Sequence, residues 1–145
     1  MRQTAKKETA SGGRQRAVKI VRQAATGRFS MTSLMDDRGA VRVDDVAETF
    51  SMSKAQLAET AGLAREVFQK ASRRDGPKAQ SRVREMLEII NLVQGWAGGA
   101  AQAMAWYRAE PIPAFGGRTA EALVKSGNAT AVRDYVDHLA TGGYA

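Results

Sequence analysis

Between Val83 and Trp96 the apolar residues follow a helical repeat so broad that the helix they form must be covered around most of its circumference. Val83, Met86, Leu87, Ile90 and Val93 recur at helical spacing. Ile89, Leu92 and Trp96 widen that stripe past a single half-buried face. Such a helix is either central to a bundle or part of a dimer contact. Ser81 stands where it can cap the helix, after a break at Asp75-Gly76-Pro77. No segment alternates as a strand does, so the spacing predicts an all-α fold built as a helical bundle.

The flanking helices are shorter. Val43, Val46, Ala47 and Phe50 share one face, behind Asp44 and Asp45, whose charges oppose a helix dipole. Ser53 and Gln56 have the spacing of a capping box, opening a second helix through Ala61 with Leu57 and Ala58 inward. Gly62 suits a tight turn, and a third helix is expected to carry Val67, Phe68 and Ala71. After the long helix, Gly98-Gly99 interrupts, and an alanine-rich helix with Met104, Trp106 and Tyr107 runs to Pro111. Pro111 to Gly117 reads as a loop. Thr119 caps a helix ending at Gly127, and Asn128 another with Ala129, Val132, Val136 and Leu139 inward. Phe29 to Arg42, with an Asp-Asp-Arg-Gly turn signal, is left unassigned.

Charge divides the chain differently. Residues 1–28 hold eight basic side chains against Glu8 alone, which accounts for the net charge of +7, while the rest balances to zero. A basic arm on a neutral body is the footprint of contact with a polyanion. Met1 to Gly13 lacks any apolar period and reads as disordered; Arg14 to Ala25, with Ala17, Val18, Ile20, Val21, Ala24 and Ala25, reads as a weak helix. The expected organisation is an arm over 1–43, a helix-turn-helix module over 44–80, and a dimerising, partner-binding part over 81–145.

Catalytic chemistry is scarce. There is no cysteine, and His138 is the single histidine, so thiolate chemistry and a histidine-based zinc site are excluded. His138 beside Asp134 and Asp137 lacks an accompanying nucleophile and reads as a solvated face. Glu85 and Glu88 have no histidine partners for a di-metal site, and Trp96, Trp106 and Tyr107 read as core or interface anchors. No window approaches the ~18 apolar residues of a membrane span, nor does an apolar stretch follow the basic start as in a secretory signal. The chain is read as a cytoplasmic non-enzyme without cofactor or metal.

Two constellations carry functional content. In the first, Ala58, Gly62 and Phe68 occupy the close-crossing, turn and core-seating positions of a helix-turn-helix. The outward face would present Arg65, Gln69 and Arg73, with Lys70 and Arg74 beside it, and Arg65 to Arg84 carries a local +5. Arginine and glutamine read base edges, while lysine and flanking arginine hold phosphates. Operator DNA is therefore an expected partner, bound by a homodimer, because one such module binds weakly. The second constellation runs from Trp106 to Leu123, with Pro111, Pro113, Phe115, Gly116, Gly117, Arg118 and Thr119. It reads as a rigid proline loop feeding a capped helix, with Arg118 placed for an acidic or carbonyl partner. Without a following lysine or a preceding strand, it is not a nucleotide loop.

This second stretch, with Ser126-Gly127-Asn128-Ala129, Val132, Tyr135-Val136 and the closing Gly142-Gly143-Tyr144-Ala145, strongly resembles the toxin-binding domain of the Xre/MbcA/ParS antitoxins, ParS above all. The likeness spans roughly residues 44–145. Ala120 departs from it, standing where the family often has proline, and residues 1–43 have no counterpart in it. The resemblance implies a type II antitoxin that neutralises a RES-domain toxin, an enzyme consuming NAD by degradation or ADP-ribose transfer. It further implies that the C-terminal segment, from Tyr135 through His138 to Gly142, Gly143, Tyr144 and Ala145, blocks the toxin's NAD pocket. Phe115, Gly116, Gly117, Arg118 and Thr119 complete the implied toxin-binding set, and repression of the antitoxin's own operon is a second implied role. The rival reading is a helix-turn-helix DNA-binding regulator without a toxin partner; an enzyme is the distant third.

Overall fold

A computed structural model describes residues 27–142. The basic arm through residue 26, with its expected helix at Arg14 to Ala25, lies outside the described residues, as do Gly143, Tyr144 and Ala145. The architecture is all-α. The helices are α1 (Val43–Thr49), α2 (Lys54–Thr60), α3 (Ala71–Arg74), α4 (Pro77–Ala97), α5 (Ala100–Ala109), α6 (Ala120–Lys125) and α7 (Ala129–Ala140), with 3-10 turns at Thr32–Leu34 and Pro113–Phe115. Among the described residues there is no strand, only isolated antiparallel bridges joining Met35 to Val41 and Ile112 to Arg118.

The long helix α4 is the axis of the molecule. Val83, Met86, Leu87, Ile89, Ile90 and Val93 are all fully buried, and α5, α6 and α7 pack along it. Complete burial of side chains of this size is worth roughly 1.5–3 kcal/mol each against exposure. The choice between a central helix and a dimer contact is thereby settled: the apolar stripe is consumed within the chain. The pairing surface expected on this helix is not available, and Trp96, 46% exposed, is its one large apolar residue left open.

The start of α4 also differs from expectation. Ser81 lies inside the helix, its hydroxyl 3.3 Å from Glu85 Oε1. Gly76 is the N-cap and Pro77 the first helical residue. Proline suits that position because its ring presets φ and its missing N–H would have had no helical partner. Other signals act as read. The Ser53–Gln56 capping box forms in both directions, at 3.0 and 2.9 Å. Thr119 Oγ1 accepts from Ala122 N at 3.1 Å, so α6 starts cleanly with Ala120, fully buried, in the place of a proline. Asn128 precedes α7 without capping it; its Nδ2 donates to Ser126 Oγ instead, at 3.1 Å.

The third helix of the N-terminal trio is a correction. Residues 64–70 form successive turns, with Val67 N donating to Ala64 O and Gln69 N to Glu66 O, each at 3.1 Å. Helix geometry appears only in the single turn of α3. Phe68 still reaches the core and is fully buried. One deep anchor in seven residues gives too little packing to offset the cost of nucleating a longer helix.

The N-terminal helices are bound to the C-terminal ones at close quarters. Gly62 adopts φ +79°, and a Cβ there would sit 3.2 Å from Lys125 Cα at the end of α6. The buried Tyr107 hydroxyl donates to Thr60 O at 3.1 Å, and burial pushes its phenol well above the ordinary tyrosine range. Arg82 donates to Val124 O, and Arg133 pairs with Glu88.

The segment left unassigned by periodicity, residues 29–42, is fastened to α4 by two glutamines. Gln94 Oε1 accepts from Phe29 N at 3.0 Å while its Nε2 donates to Phe29 O at 2.8 Å. Gln80 does the same for Val41, at 2.7 and 3.1 Å. Each amide thus holds one residue's N–H and C=O as a neighbouring strand would. Between them Asp36 Oδ1 accepts from Arg38 N and Ala40 N at 2.9 Å, realising the turn signal. Gln94→Ala should leave both backbone groups of Phe29 unpaired beside the core, at a cost of about 2–4 kcal/mol. Urea unfolding should show that loss, with Gln102→Ala, at an exposed position, unchanged; equal midpoints would mean that the clasp contributes nothing.

Candidate functional site

The proline loop of the C-terminal constellation folds against α7, where Phe115 meets Tyr135. Ile112 N donates to Arg118 O and Gly117 N to Ile112 O, both at 3.0 Å, closing the proline loop at its base. Ile112 is buried beneath it. The loop turns through Gly116 and Gly117, whose φ values of +69° and +84° only glycine adopts readily. At both, a Cβ would meet nothing within 4 Å, so these glycines serve conformation and leave the loop tip uncovered. The N–H groups of Gly116, Gly117 and Arg118 all donate inward, to Pro113 O, Ile112 O and Phe115 O. A phosphate would find no free donors there, in keeping with rejection of a nucleotide loop.

Phe115 and Tyr135, distant in sequence, meet edge-to-face with ring centroids 5.7 Å apart. Both are half-buried, so each presents an edge to solvent while anchored to the core. Beside them Arg118 Nη2 donates to Ser126 Oγ at 2.8 Å, Asn128 Nδ2 to the same oxygen at 3.1 Å, and Ser126 Oγ to Leu123 O at 3.0 Å. Arg118 is thus oriented, though exposed. Thr119 is committed to capping α6. His138 is exposed on α7, one turn beyond Tyr135, and Gly142 follows the helix end with φ +80°. The pattern is an aromatic pair, an oriented cation and an open glycine tip, the make-up of a docking surface. Among the described residues no group of three or more His, Asp or Glu side chains could hold a metal ion, and no helix is long and apolar enough to cross a membrane.

The basic set expected to face DNA is less uniform. Gln69, Lys70 and Arg73 are exposed. Arg73 lines a groove of about 430 Å³ with Gly62, Leu63, Val67 and Pro77. Arg65 is paired with Glu59 at 2.5 Å. Arg74 turns inward: one Nη meets Asp44 at 3.2 Å, the other donates to Phe68 O at 2.9 Å, and its Nε is buried without a partner. Because residues 64–70 are turns, these side chains do not share one helical face. The inward role of Arg74 was missed because nothing local links it to Asp44, thirty residues away.

The all-helical architecture and this exposed aromatic and cationic surface suit a protein that docks on a partner. Comparison with protein families makes this specific: residues 92–142 match the model of the antitoxin Xre/MbcA/ParS C-terminal toxin-binding domain. The match takes in the end of α4, α5, the proline loop, α6 and α7, and with them the whole of the docking face. The resemblance read from the proline loop and the Ser126-Gly127-Asn128-Ala129 stretch thus stands, and residues 92–142 are similar to a toxin-binding antitoxin domain. Searches of curated proteins and of solved structures gave no significant match.

Asp44 ties the N-terminal helices together. Its hydrogen bond to Lys54, then the charges of Lys54 and Arg74, hold its carboxyl below the ordinary value of 3.8. Its side chain is 55% exposed, so solvent screens the pair and its worth stays within about 1 kcal/mol. A carboxyl with a depressed folded value contributes fully above 3.8 and loses its contribution as pH falls through the folded value. Asp44→Asn should therefore be less stable at neutral pH and should converge with the parent in acid. A gap persisting at the acid end would show that the contribution is not ionic.

Proposed function

We propose that this chain is the antitoxin of a type II toxin–antitoxin pair, acting without chemistry of its own in the cytoplasm. The observation that carries the proposal is the match of residues 92–142 to the model of a toxin-binding domain. Its partner is a RES-domain toxin that consumes NAD. Phe115 and Tyr135 form the apolar centre of the contact, with Arg118 and the Gly116-Gly117 tip around it. Half-buried aromatics anchored on a rigid core suit this role, because little side-chain entropy is lost when they dock. The end of α7 then directs the chain from His138 through Gly142, Gly143, Tyr144 and Ala145 into the toxin's NAD pocket, excluding the substrate sterically.

A second role concerns operator DNA. Exposed Gln69, Lys70 and Arg73 supply contacts, and a homodimer supplies the paired half-sites that a small module needs. With α4 consumed inside the chain, pairing uses some other surface. Lys70→Ala, if it removes one phosphate contact, should weaken operator binding evenly across sequences and lower the salt slope by about 1.

Co-purification with the protein encoded beside this chain, followed by an NAD-consumption assay, tests the main reading. The full chain should form a stable complex and silence NAD turnover. Phe115→Ala or Tyr135→Ala should weaken the complex by about 2 kcal/mol, the usual scale for an aromatic anchor. Deletion of residues 142–145 should release NAD turnover while the complex persists. Undiminished inhibition by that truncation would eliminate the pocket-blocking mechanism alone. Absence of any complex, together with salt-dependent binding to the chain's own promoter, would instead favour a DNA-binding regulator without a toxin partner.

A further inference from the structure

Near the last turn of α7 lies an open cavity of about 480 Å³, lined by Trp96, Leu139, Ala140 and Gly142. Trp96 is held on one side by an edge-to-face contact with Trp106, ring centroids 5.8 Å apart, yet remains 46% exposed. It is the one large apolar side chain this exposed among the described residues. A held but uncovered tryptophan at a cavity mouth is a surface prepared for an apolar occupant.

The path of the chain shows which occupant is at hand. Gly27 O accepts from Ala100 N at the start of α5. A Cβ on Gly99 would collide with that carbonyl, so the two backbones meet at closest approach. Arg28 Nη2 donates to Gly95 O at 3.4 Å, and Gln94 clasps Phe29. The basic arm therefore joins the described fold at Gly95 to Ala100, immediately beside Trp96 and within the toxin-binding domain. It does not depart from the basic stretch Arg65 to Arg84.

Twenty-six residues precede that anchor, and those nearest to it are Val18, Ile20, Val21, Ala24 and Ala25, interleaved with Arg14, Arg16, Lys19 and Arg22. Ala25 is two residues from Gly27 and so within about 7 Å of it. Charge fits as well. Asp134 and Asp137 are exposed on α7, and Asp137 lies one turn before Ala140. We propose that the stretch Arg14–Ala25 of the arm covers the Trp96 cavity in cis, its apolar side chains on Trp96 and Leu139 and its cations toward Asp134 and Asp137. The arm then belongs to the domain's own surface, and its charge serves intramolecular docking. This inference goes beyond the antitoxin reading and is tested without a toxin.

Trp106→Phe leaves Trp96 as the single tryptophan, and acrylamide quenching of its fluorescence reports its cover. In the full chain quenching should be weak. Deletion of residues 1–26 should raise it several-fold, and Val18→Asp with Val21→Asp in the intact arm should raise it equally. Because the chain has no cysteine, Val21→Cys with Ala140→Cys supplies a second measurement in the otherwise unaltered protein, an intrachain disulfide on mild oxidation. Equal quenching with and without the arm, protection that depends on protein concentration instead, or only interchain disulfides would each overturn the proposal.

Discussion

The described fold is arranged around a helix that has no exposed residue from Glu85 to Gln94. With Val83, Met86, Leu87, Ile89, Ile90 and Val93 all fully buried, α4 needs neighbours on every side, and the short helices supply them. Those helices have four to twelve residues, lengths at which an isolated helix is marginal in water. They persist because each lays an apolar face on α4 or on one another. The order of dependence is clear: removing the axis would leave no element able to stand alone.

A buried axis solves packing but creates a polar problem for any irregular chain crossing it, because that chain's N–H and C=O groups lose water. Gln80 and Gln94 answer it. A glutamine amide carries a donor and an acceptor at the spacing of a backbone pair, so it satisfies both groups of one residue with a single side chain. Gln94 is itself buried, where an unsatisfied amide would be costly and a satisfied one fixes register. Segment 27–42 is located by these two contacts, and through Gly27 and Arg28 so is the exit of the basic arm.

Periodicity and capping chemistry made the helical class, the buried identity of the α4 residues and the starts of α2 and α6 legible, because those signals are local. The proline loop was legible as well, and in it Phe115 meets Tyr135 of α7 while Arg118 is held by Ser126. What sequence could not carry was long-range. Nothing local marks Gln80 or Gln94, whose partners lie about forty and sixty-five residues away. Arg74 read as a free cation for the same reason, Asp44 being remote in the chain. The expected third helix failed differently: Leu63, Val67 and Phe68 have a helical apolar spacing, but only Phe68 is deeply seated, and turns achieve that without a helix.

The two ends of α4 carry different surfaces, and the helix keeps them apart. Near its first turn lie Arg73 and the groove bounded by Gly62 and Pro77; near its last turn lie Trp96 and the end of α7. Twenty-one residues at 1.5 Å each separate the ends by about 30 Å. That span exceeds the roughly 8 Å screening length at physiological salt, so charge at one end is scarcely felt at the other. A macromolecule on one end therefore influences the other only through packing of the axis, and a core this close-packed resists continuous deformation. The Trp96 surface and the groove beside Arg73 are thus best understood as separate surfaces at opposite ends of one helix, each open to change without disturbing its counterpart.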